Sequence, residues 1–322
     1  MDSGVTAPDT ASSVAVSHKG KPLWKRFIMQ WQVQVMILPA LALILIFNYL
    51  PMYGVLMAFQ DYNLFKGFFA SDWVGTKHFE MFFNSPDFFR VIRNTIVISL
   101  LKLVIGFPAP IILALMLNEV KNMLFKRVIQ TISYLPHFLS WVIVSGFVIS
   151  MLSVDNGSLN IMLEKLNLID KPINFLSLPE YFWGIIVTTN VWKEVGFATI
   201  VYLAAIAGVD QSMYEAASLD GASKWKQIFL ITLPSIMPVV IIFLILNIGS
   251  LLNAGFDDLL LLGNSAMLRD VADVIDTYSY RVGIINRRYS YAAAVGLFKA
   301  VISVGLLTMA NYLARRAGTS LW

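Results

Sequence analysis

The chain has 322 residues, of which 57% are hydrophobic and only 14% are charged, and its formal net charge is +4. An average soluble domain is about 25% charged, so this composition predicts an integral membrane protein. The pI of 9.1 does not indicate nucleic-acid binding, because the basic residues flank apolar segments instead of forming one patch, and the lack of cysteine excludes disulfides, thiol nucleophiles and cysteine-ligated metals.

The N-terminal segment is polar. Residues 1–20 are rich in Ser, Ala and Thr and contain no apolar run, while the first apolar segment is too long for the h-region of a signal peptide. We therefore expect no cleavable signal peptide and interpret residues 1–30 as a cytoplasmic tail. Residues 315–322 are expected to form a short cytoplasmic C-terminus.

Six apolar segments follow, and each is long enough for a membrane helix, which needs about 20 residues. Prolines lie within or at the ends of several segments. Proline kinks are tolerated where neighbouring helices or a cavity satisfy the freed carbonyl groups, so we expect a bundle with a pathway. The sequence predicts an all-α integral membrane protein with a six-helix domain at residues 31–314. Its spans are 31–60, 94–118, 128–154, 181–209, 228–256 and 289–314.

An even number of spans places both termini on the same side of the membrane. Lys and Arg are almost equally frequent in the connections of the two sides. The connection 118–127 is short and basic, however, whereas the connection 257–288 is long, and charges in long loops orient a chain only weakly. We therefore expect both termini to be cytoplasmic.

Polar side chains interrupt the fourth and fifth spans. Lys193 and Glu194 are adjacent in the fourth, and ionisable groups at membrane depth indicate a functional site. The alternative is a structural pair with another helix, or snorkelling toward the surface. The fifth span carries Asn247, Ser250 and Asn253 at i, i+3 and i+6, which predicts a polar stripe on one helical face.

Three further polar residues within spans have a simpler interpretation. Lys102 and Lys299 are each the one charged residue of their span, and we interpret them as ion pairs within the helix bundle. His137 follows Pro136, and we interpret it as a histidine that is hydrogen-bonded at a kink. The three histidines of the chain show no spacing typical of a metal site.

A polar segment, residues 210–234, separates the fourth span from the fifth. Ser212 followed by Glu215 is a capping-box pattern, which predicts that a helix starts near Ser212. Gly221 can supply the left-handed residue that ends a short helix. A second helix is then expected from about Ser223 to Pro234. By its local pattern alone, the segment is equally consistent with an amphipathic turn at the membrane surface.

The same segment carries a motif. Glu215-Ala216-Ala217, Gly221, Ile231, Leu233 and Pro234 match, position for position, the EAA signature of ABC-importer permeases, and the chain resembles that family. The resemblance implies a type I importer permease fold with a cytoplasmic coupling helix that fits a cleft of an ATPase subunit. It implies that these residues, together with Asp220, couple the permease to ATP hydrolysis.

The resemblance also implies partners and a location. They are two ATP-binding subunits, a second and distinct permease, and an extracytoplasmic solute-binding protein, assembled in the bacterial cytoplasmic (inner) membrane. ATP and Mg would be bound by the ATPase subunits, because this chain has no G-x-x-x-x-G-K-[ST] loop. No cofactor, metal or nucleic acid is expected on this chain.

The connections on the outer side are amphipathic and rich in aromatic residues. They comprise 61–90, 155–180 and 257–288, and we expect them either to dock the binding protein or to serve as plain connections. Asn156-Gly157-Ser158 predicts a turn before a short helix at 159–168.

Weaker blocks resemble the branch of the family that imports large oligosaccharides, including alginate- and pectin-type fragments. They lie at 47–54, 58–62, 106–110, 117–119, 134–138, 276–278, 280–283 and 291–298.

Asn190 and Trp192 match an Asn-x-Trp stretch of the maltose-type permease whose asparagine contacts sugar. By position, Lys193, Glu194 and Phe197 fall on the same turn, so the resemblance implies that these five residues line the substrate pathway. If Lys193 faces that pathway, its ammonium favours a uronic-acid oligosaccharide, because a charge-assisted hydrogen bond is roughly twice as strong as a neutral one.

Two other classes of protein remain open from the residues alone. An ion-coupled secondary sugar transporter could use the Lys193–Glu194 pair for coupling, but such proteins usually contain internal repeats, and none is visible here. A membrane-embedded glycosyltransferase or protease would need paired carboxylates or a Ser/His/Asp set. Since no such set can be placed in one site, we do not expect this chain to be an enzyme.

Overall fold

A computed structural model describes residues 30–316, so the predictions for the N-terminal tail and for residues 317–322 lie outside the described residues. The chain divides into two compact units, Met1–Tyr53 and Gly54–Trp322. The elements in chain order are α1 (Trp31–Phe59), β1 (Gln60–Asp61), α2 (Gly67–Ala70), β2 (Asp72–Trp73), α3 (Lys77–Phe83), α4 (Phe88–Glu119), α5 (Met123–Phe138), α6 (Trp141–Leu152), α7 (Ser158–Lys165), α8 (Pro179–Ala207), α9 (Gln211–Leu219), α10 (Lys224–Gly249), α11 (Asp257–Leu262), α12 (Arg269–Ala272), α13 (Ile275–Tyr280) and α14 (Tyr289–Arg316).

The membrane-crossing helices agree with the predicted class. Within residues 30–316, α1, α4, α10 and α14 are each long and apolar enough to cross a membrane. Two bent pairs bring the number to six if each pair is one span: α5 with α6, bent by 105°, and α8 with α9, bent by 70°. The prediction of an all-helical membrane protein is confirmed. A two-residue antiparallel pairing of β1 with β2 is a minor addition.

The second predicted span begins earlier in the structure, at Phe88, and the third and fifth are interrupted or end early. The third, predicted as one helix over 128–154, is broken between α5 and α6, because α5 ends in a 3-10 turn around Pro136 and the Ser140 hydroxyl caps a new helix at the Ile143 amide, 3.4 Å away. The fifth, predicted over 228–256, ends at Gly249. Residues 250–256 are not helical, and Gly255 has a φ of +112°.

Prolines explain the irregular turns of the long helices. π turns at Leu45–Tyr49, Lys102–Gly106 and Ile228–Thr232 each end two residues before a proline, namely Pro51, Pro108 and Pro234. Proline cannot donate a backbone hydrogen bond and its ring clashes with the carbonyl four residues earlier. A wider turn just before the proline relieves both problems.

Helix α8 is central to the unit Gly54–Trp322 and packs against α4, α5 and α10. Ala114 of α4, Tyr202 of α8 and Ile236 of α10 are buried together. Gly196 lets α8 approach α5 closely, since a β-carbon at this position would lie 2.0 Å from the carbonyl oxygen of Ser133. Small residues at such crossings are typical of membrane helices, whose association depends on close packing.

The segment 257–288 is folded onto the start of α4. The Asn94 amide donates hydrogen bonds to the carbonyl oxygens of Asp270 (2.9 Å) and Asp273 (3.1 Å), and the Ile275 amide donates to the Thr95 hydroxyl (3.0 Å). The carboxylate of Asp273 also forms an ion pair with Arg281. Much of this predicted docking segment is therefore occupied by internal contacts.

The segment 155–180 contains the predicted short helix, which is shifted toward the N-terminus. Helix α7 runs over Ser158–Lys165 instead of 159–168. Its buried Asn160 donates to the carbonyl oxygens of Ser153 (2.9 Å) and Ile173 (3.0 Å) and accepts from the Ile173 amide (2.9 Å). These bonds hold the connection in one conformation.

Candidate functional site

The polar segment between α8 and α10 begins with a capped helix. The Asp210 carboxylate accepts a hydrogen bond from the Ser212 amide (2.9 Å) and starts α9 at Gln211. This hydrogen bond lowers the pKa of Asp210 below its usual range. The prediction that Ser212 and Glu215 form a capping box is wrong, because the preceding aspartate satisfies the first turn. Glu215 is exposed.

Gly221 ends α9 as predicted. Its φ is +74°, and the amide of Ala222 donates to the carbonyl oxygen of Ala217 (2.9 Å). This is the hydrogen bond of a helix that closes on a left-handed residue. The next predicted helix begins where expected, with Ser223 as its cap, but it does not end at Pro234. It continues as α10, because the π turn at Ile228–Thr232 accommodates the proline.

Side chains fasten α9 to the start of α10. The hydroxyls of Tyr214 and Thr232 are 2.9 Å apart, and the buried Gln227 amide donates to the Ser218 hydroxyl (3.0 Å). Two side-chain hydrogen bonds therefore connect α9 to a membrane-crossing helix.

The predicted coupling residues divide into two groups. Glu215, Ala216, Asp220 and Gly221 are exposed on the short helix and its turn, next to Leu219, which is 90% exposed. Ala217, Ile231 and Leu233 are half-buried, and Pro234 is exposed on α10. The first group forms a projecting surface, and the second connects that surface to the bundle.

A second feature is a cavity of about 420 Å³. It is lined by α4, α8, α10 and the irregular segment that follows α10, together with the first residues of α6 and α11. Five of the eight predicted pathway residues line it, and they are Asn190, Glu194, Asn247, Ser250 and Asn253. The prediction of a helical stripe is wrong for Ser250 and Asn253, which follow the end of α10, but the turn after Gly249 keeps both at the cavity.

The other three predicted pathway residues do not line this cavity. Trp192 stacks on Phe147, with ring centres 6.0 Å apart, and Phe197 stacks on His137 at 3.9 Å. Lys193 is 5% exposed. The physical reason is the helical period: successive residues point about 100° apart, and the cavity face of α8 contains Asn190 and Glu194, four residues apart, instead of Lys193.

Lys193 belongs to a cluster at the break between α5 and α6. Its ammonium donates to the carbonyl oxygen of His137 (2.7 Å) and lies 3.5 Å from the Glu194 carboxylate and 5.5 Å from the centre of the Trp141 ring. The His137 ring nitrogen Nδ1 is 2.8 Å from the same carboxylate. The interpretation of His137 as a hydrogen-bonded kink residue agrees with this geometry.

We expect Lys193→Met to destabilise the protein without changing its substrate preference. The substitution leaves the His137 carbonyl and the Glu194 carboxylate without their cation, which costs about 1–3 kcal/mol. The thermal unfolding midpoint of the purified assembly should fall, whereas the exposed Lys165→Met should leave it unchanged. A changed ratio of charged to neutral substrate uptake with unchanged stability would instead place Lys193 in the pathway.

One ion pair lies at the cavity, and its position there was not predicted from the sequence. The Lys102 ammonium of α4 lies 2.5 Å from the Asp258 carboxylate of α11, and both residues line the cavity. The predicted pairing of Lys102 is confirmed, and so is that of Lys299, whose ammonium lies 2.5 Å from Asp276. Aromatic side chains that line the cavity were also missed, among them Tyr202, Phe243 and Phe256.

The sequence matches a family model described as "Binding-protein-dependent transport system inner membrane component" over residues 106–319. It is 48% identical over 282 residues to Protein LplB of Bacillus subtilis strain 168, covering 88% of each chain. It is 44% identical over 312 residues to the polygalacturonan/rhamnogalacturonan transport system permease protein YteP of the same organism, covering 97% of this chain and 96% of YteP.

Solved structures agree with the family match. One is the crystal structure of a bacterial ABC transporter involved in the import of the acidic polysaccharide alginate, with a TM-score of 0.84 and 42% identity over 92% of this chain and 99% of that chain. Another shows a bacterial alginate ABC transporter in complex with an alginate pentasaccharide-bound periplasmic protein, with a TM-score of 0.85 and 42% identity over 93% and 99%.

The family match decides between the three classes that the residues left open, and it excludes the secondary transporter and the membrane-embedded enzyme. The type I permease fold predicted from the EAA motif is confirmed. ATP is hydrolysed by partner ATPase subunits. The chain belongs to the inner membrane components of binding-protein-dependent transport systems, and it is a multi-pass permease subunit of an ABC importer.

Proposed function

We propose that this permease forms one half of the translocation path for an acidic oligosaccharide. The observation that carries the proposal is the similarity, over nearly the whole chain, to an alginate importer subunit and to a permease named for polygalacturonan and rhamnogalacturonan. Both names denote uronic-acid polymers. Lys193 does not support an acidic substrate, because it is buried beside His137 instead of facing the cavity.

The lining of the cavity suits a sugar. Asn190, Asn247 and Asn253 present amide groups that both donate and accept hydrogen bonds, as sugar hydroxyls require. Trp141 and Phe256 add apolar ring surface to the same lining. A polar cavity between membrane helices is a place where a hydrated substrate can cross without contact with lipid.

The proposed assembly has this permease beside a second, distinct permease, with two ATP-binding subunits on the cytoplasmic side and a solute-binding protein on the outer side. Both termini of the chain are cytoplasmic in this arrangement. The exposed surface of α9 and Gly221 fits a cleft of one ATP-binding subunit, and the bonds from Tyr214 and Gln227 relay its movement to α10. The connections between spans on the outer side, one of which contains α3, receive the binding protein.

Uptake by the whole importer tests the proposal. The two permeases and the ATPase are reconstituted in proteoliposomes that contain ATP, and the binding protein is added outside with labelled pentasaccharides. We expect ATP-dependent uptake of an alginate or polygalacturonan pentasaccharide in clear excess over a neutral glucan pentasaccharide. Equal or preferential uptake of the neutral sugar would overturn the acidic assignment, and uptake without ATP would overturn the coupling.

A further inference from the structure

The charges around the cavity pose a problem for an acidic substrate. Among the described residues that line it, Lys102 is the one cation, and Glu194, Asp257 and Asp258 are carboxylates. Nearby like charges repel a carboxylate in a low-dielectric site. An acidic oligosaccharide that enters this cavity therefore has a single cation of this chain to bind, and that cation is already paired.

We propose that Lys102 and Ser99 form a binding site for a substrate carboxylate, and that Asp258 masks this site until the substrate replaces it. The proposal rests on the proposed function, because it concerns an acidic oligosaccharide in the same cavity. Lys102 and Ser99 are the residues that recognise the charge of the substrate, and Asp258 is the residue that the substrate must displace.

The geometry of Lys102 is that of an occupied carboxylate site. Its ammonium donates to the Asp258 carboxylate at 2.5 Å and to the carbonyl oxygen of Ala254 at 2.6 Å. A uronic-acid carboxylate carries the same charge and the same acceptor atoms as Asp258. Exchange of one for the other keeps the Lys102 ammonium paired in both end states, so this cation is never buried without a carboxylate partner.

Ser99 supplies a second group for the incoming carboxylate. It lies three residues before Lys102 on α4, and side chains at this spacing share a helical face. It lines the same cavity, and its hydroxyl is buried without a hydrogen-bond partner among the described residues. A buried hydroxyl without a partner is costly, and a carboxylate bound at Lys102 offers it an acceptor.

The backbone near Asp258 is built for close approach to Lys102. A β-carbon at Gly255 would lie 2.2 Å from the Asp258 carboxylate and 2.8 Å from the Lys102 ammonium, and its φ of +112° favours glycine. The segment that carries Ala254 and Gly255 is non-helical, although it meets the middle of a membrane helix. Irregular backbone at this depth is tolerated where it lines a cavity.

The test uses uptake of an alginate pentasaccharide by the complete reconstituted importer. Ser99→Ala and Lys102→Met are each expected to lower uptake by about tenfold or more, since each removes a hydrogen bond to a charged group. Lys102→Met alone leaves the Asp258 carboxylate without its cation and can therefore also lower the amount of assembled complex. The double variant Lys102→Met/Asp258→Asn leaves no unpaired charge, so it should restore the amount of assembled complex but not uptake.

Matched controls come from the same chain. Lys299 and Asp276 form a pair with the same 2.5 Å separation outside this cavity, so Lys299→Met/Asp276→Asn should restore assembly and uptake together. Ser279 also has a buried hydroxyl without a partner among the described residues, and it does not line the cavity. Ser279→Ala should therefore leave uptake unchanged.

The outcomes separate the inference from the function on which it rests. Normal uptake in Ser99→Ala, or recovery of uptake in Lys102→Met/Asp258→Asn, would show that the pair is only structural and overturn the inference alone. Should the double variant fail to assemble, Ser99→Ala still decides, because the loss of an unpaired hydroxyl does not disturb folding. Lack of uptake by the unmodified importer would overturn the proposed function and this inference together.

Discussion

Gly196→Ala is expected to prevent normal assembly of the helix bundle. The added β-carbon would lie 2.0 Å from the carbonyl oxygen and 2.3 Å from the carbonyl carbon of Ser133, and both are backbone atoms that no rotamer change can move. Helices α5 and α8 must therefore separate. Overpacking in a well-packed interior costs about 1–3 kcal/mol, and contact with rigid backbone puts this site at the upper end.

Gly184→Ala is the matched control, since Gly184 lies on the same helix and a β-carbon there meets nothing within 4 Å. Alanine also stabilises a helix interior by up to about 1 kcal/mol relative to glycine. The measurement is the yield of intact complex after size-exclusion chromatography, together with its thermal unfolding midpoint. Equal yields and midpoints for the two variants would refute the close contact of α5 with α8.

Gly221→Val should uncouple transport from ATP hydrolysis in a protein that still inserts into the membrane. Valine in the left-handed conformation costs about 1–2 kcal/mol, so the turn between α9 and α10 is expected to change shape. No atom of this chain lies within 4 Å of a β-carbon at this position, so within the permease the substitution acts through the backbone alone. Stimulation of ATPase activity by loaded binding protein should be lost.

Gly67→Val controls for the strain itself. Gly67 has a φ of +69°, close to the +74° of Gly221, and a β-carbon at Gly67 also has open space around it. It lies in the connection between β1 and β2, away from the coupling segment in the chain. Because Gly67 lies in the outer connection 61–90, stimulation is measured at saturating binding protein, and full stimulation in Gly67→Val with loss in Gly221→Val is the expected pair of results. Full stimulation in both would contradict the role of the α9 turn.

Local features of this fold are predictable from the sequence because their causes are local. Gly221 ends α9 because glycine, which has no β-carbon, adopts its φ of +74° at the least steric cost. The π turns lie just before Pro51, Pro108 and Pro234 because each proline removes a donor from the helix. The start of α9 near Ser212 was predicted correctly, but its cap is Asp210 instead of Ser212, because both residue types are good caps and the sequence does not rank them.

The cavity was harder to predict, because its residues meet through tertiary packing. Lys102 and Asp258 are 156 positions apart, so no spacing pattern connects them. The face of α8 that lines the cavity depends on where α4 and α10 pack. Adjacent Lys193 and Glu194 therefore looked equivalent in sequence, although the structure places only Glu194 at the cavity.

Cysteine cross-linking is the most direct test of the coupling segment. The chain contains no cysteine, so Ala216→Cys on the exposed face of α9 and Phe65→Cys, at a residue that is 98% exposed between β1 and β2, each introduce a single reactive thiol. In the assembled importer, we expect a short bifunctional reagent to join Ala216→Cys to the ATP-binding subunit and to leave Phe65→Cys unjoined to it. The opposite pattern, or no product from Ala216→Cys in an active complex, would contradict the coupling role of residues 210–234.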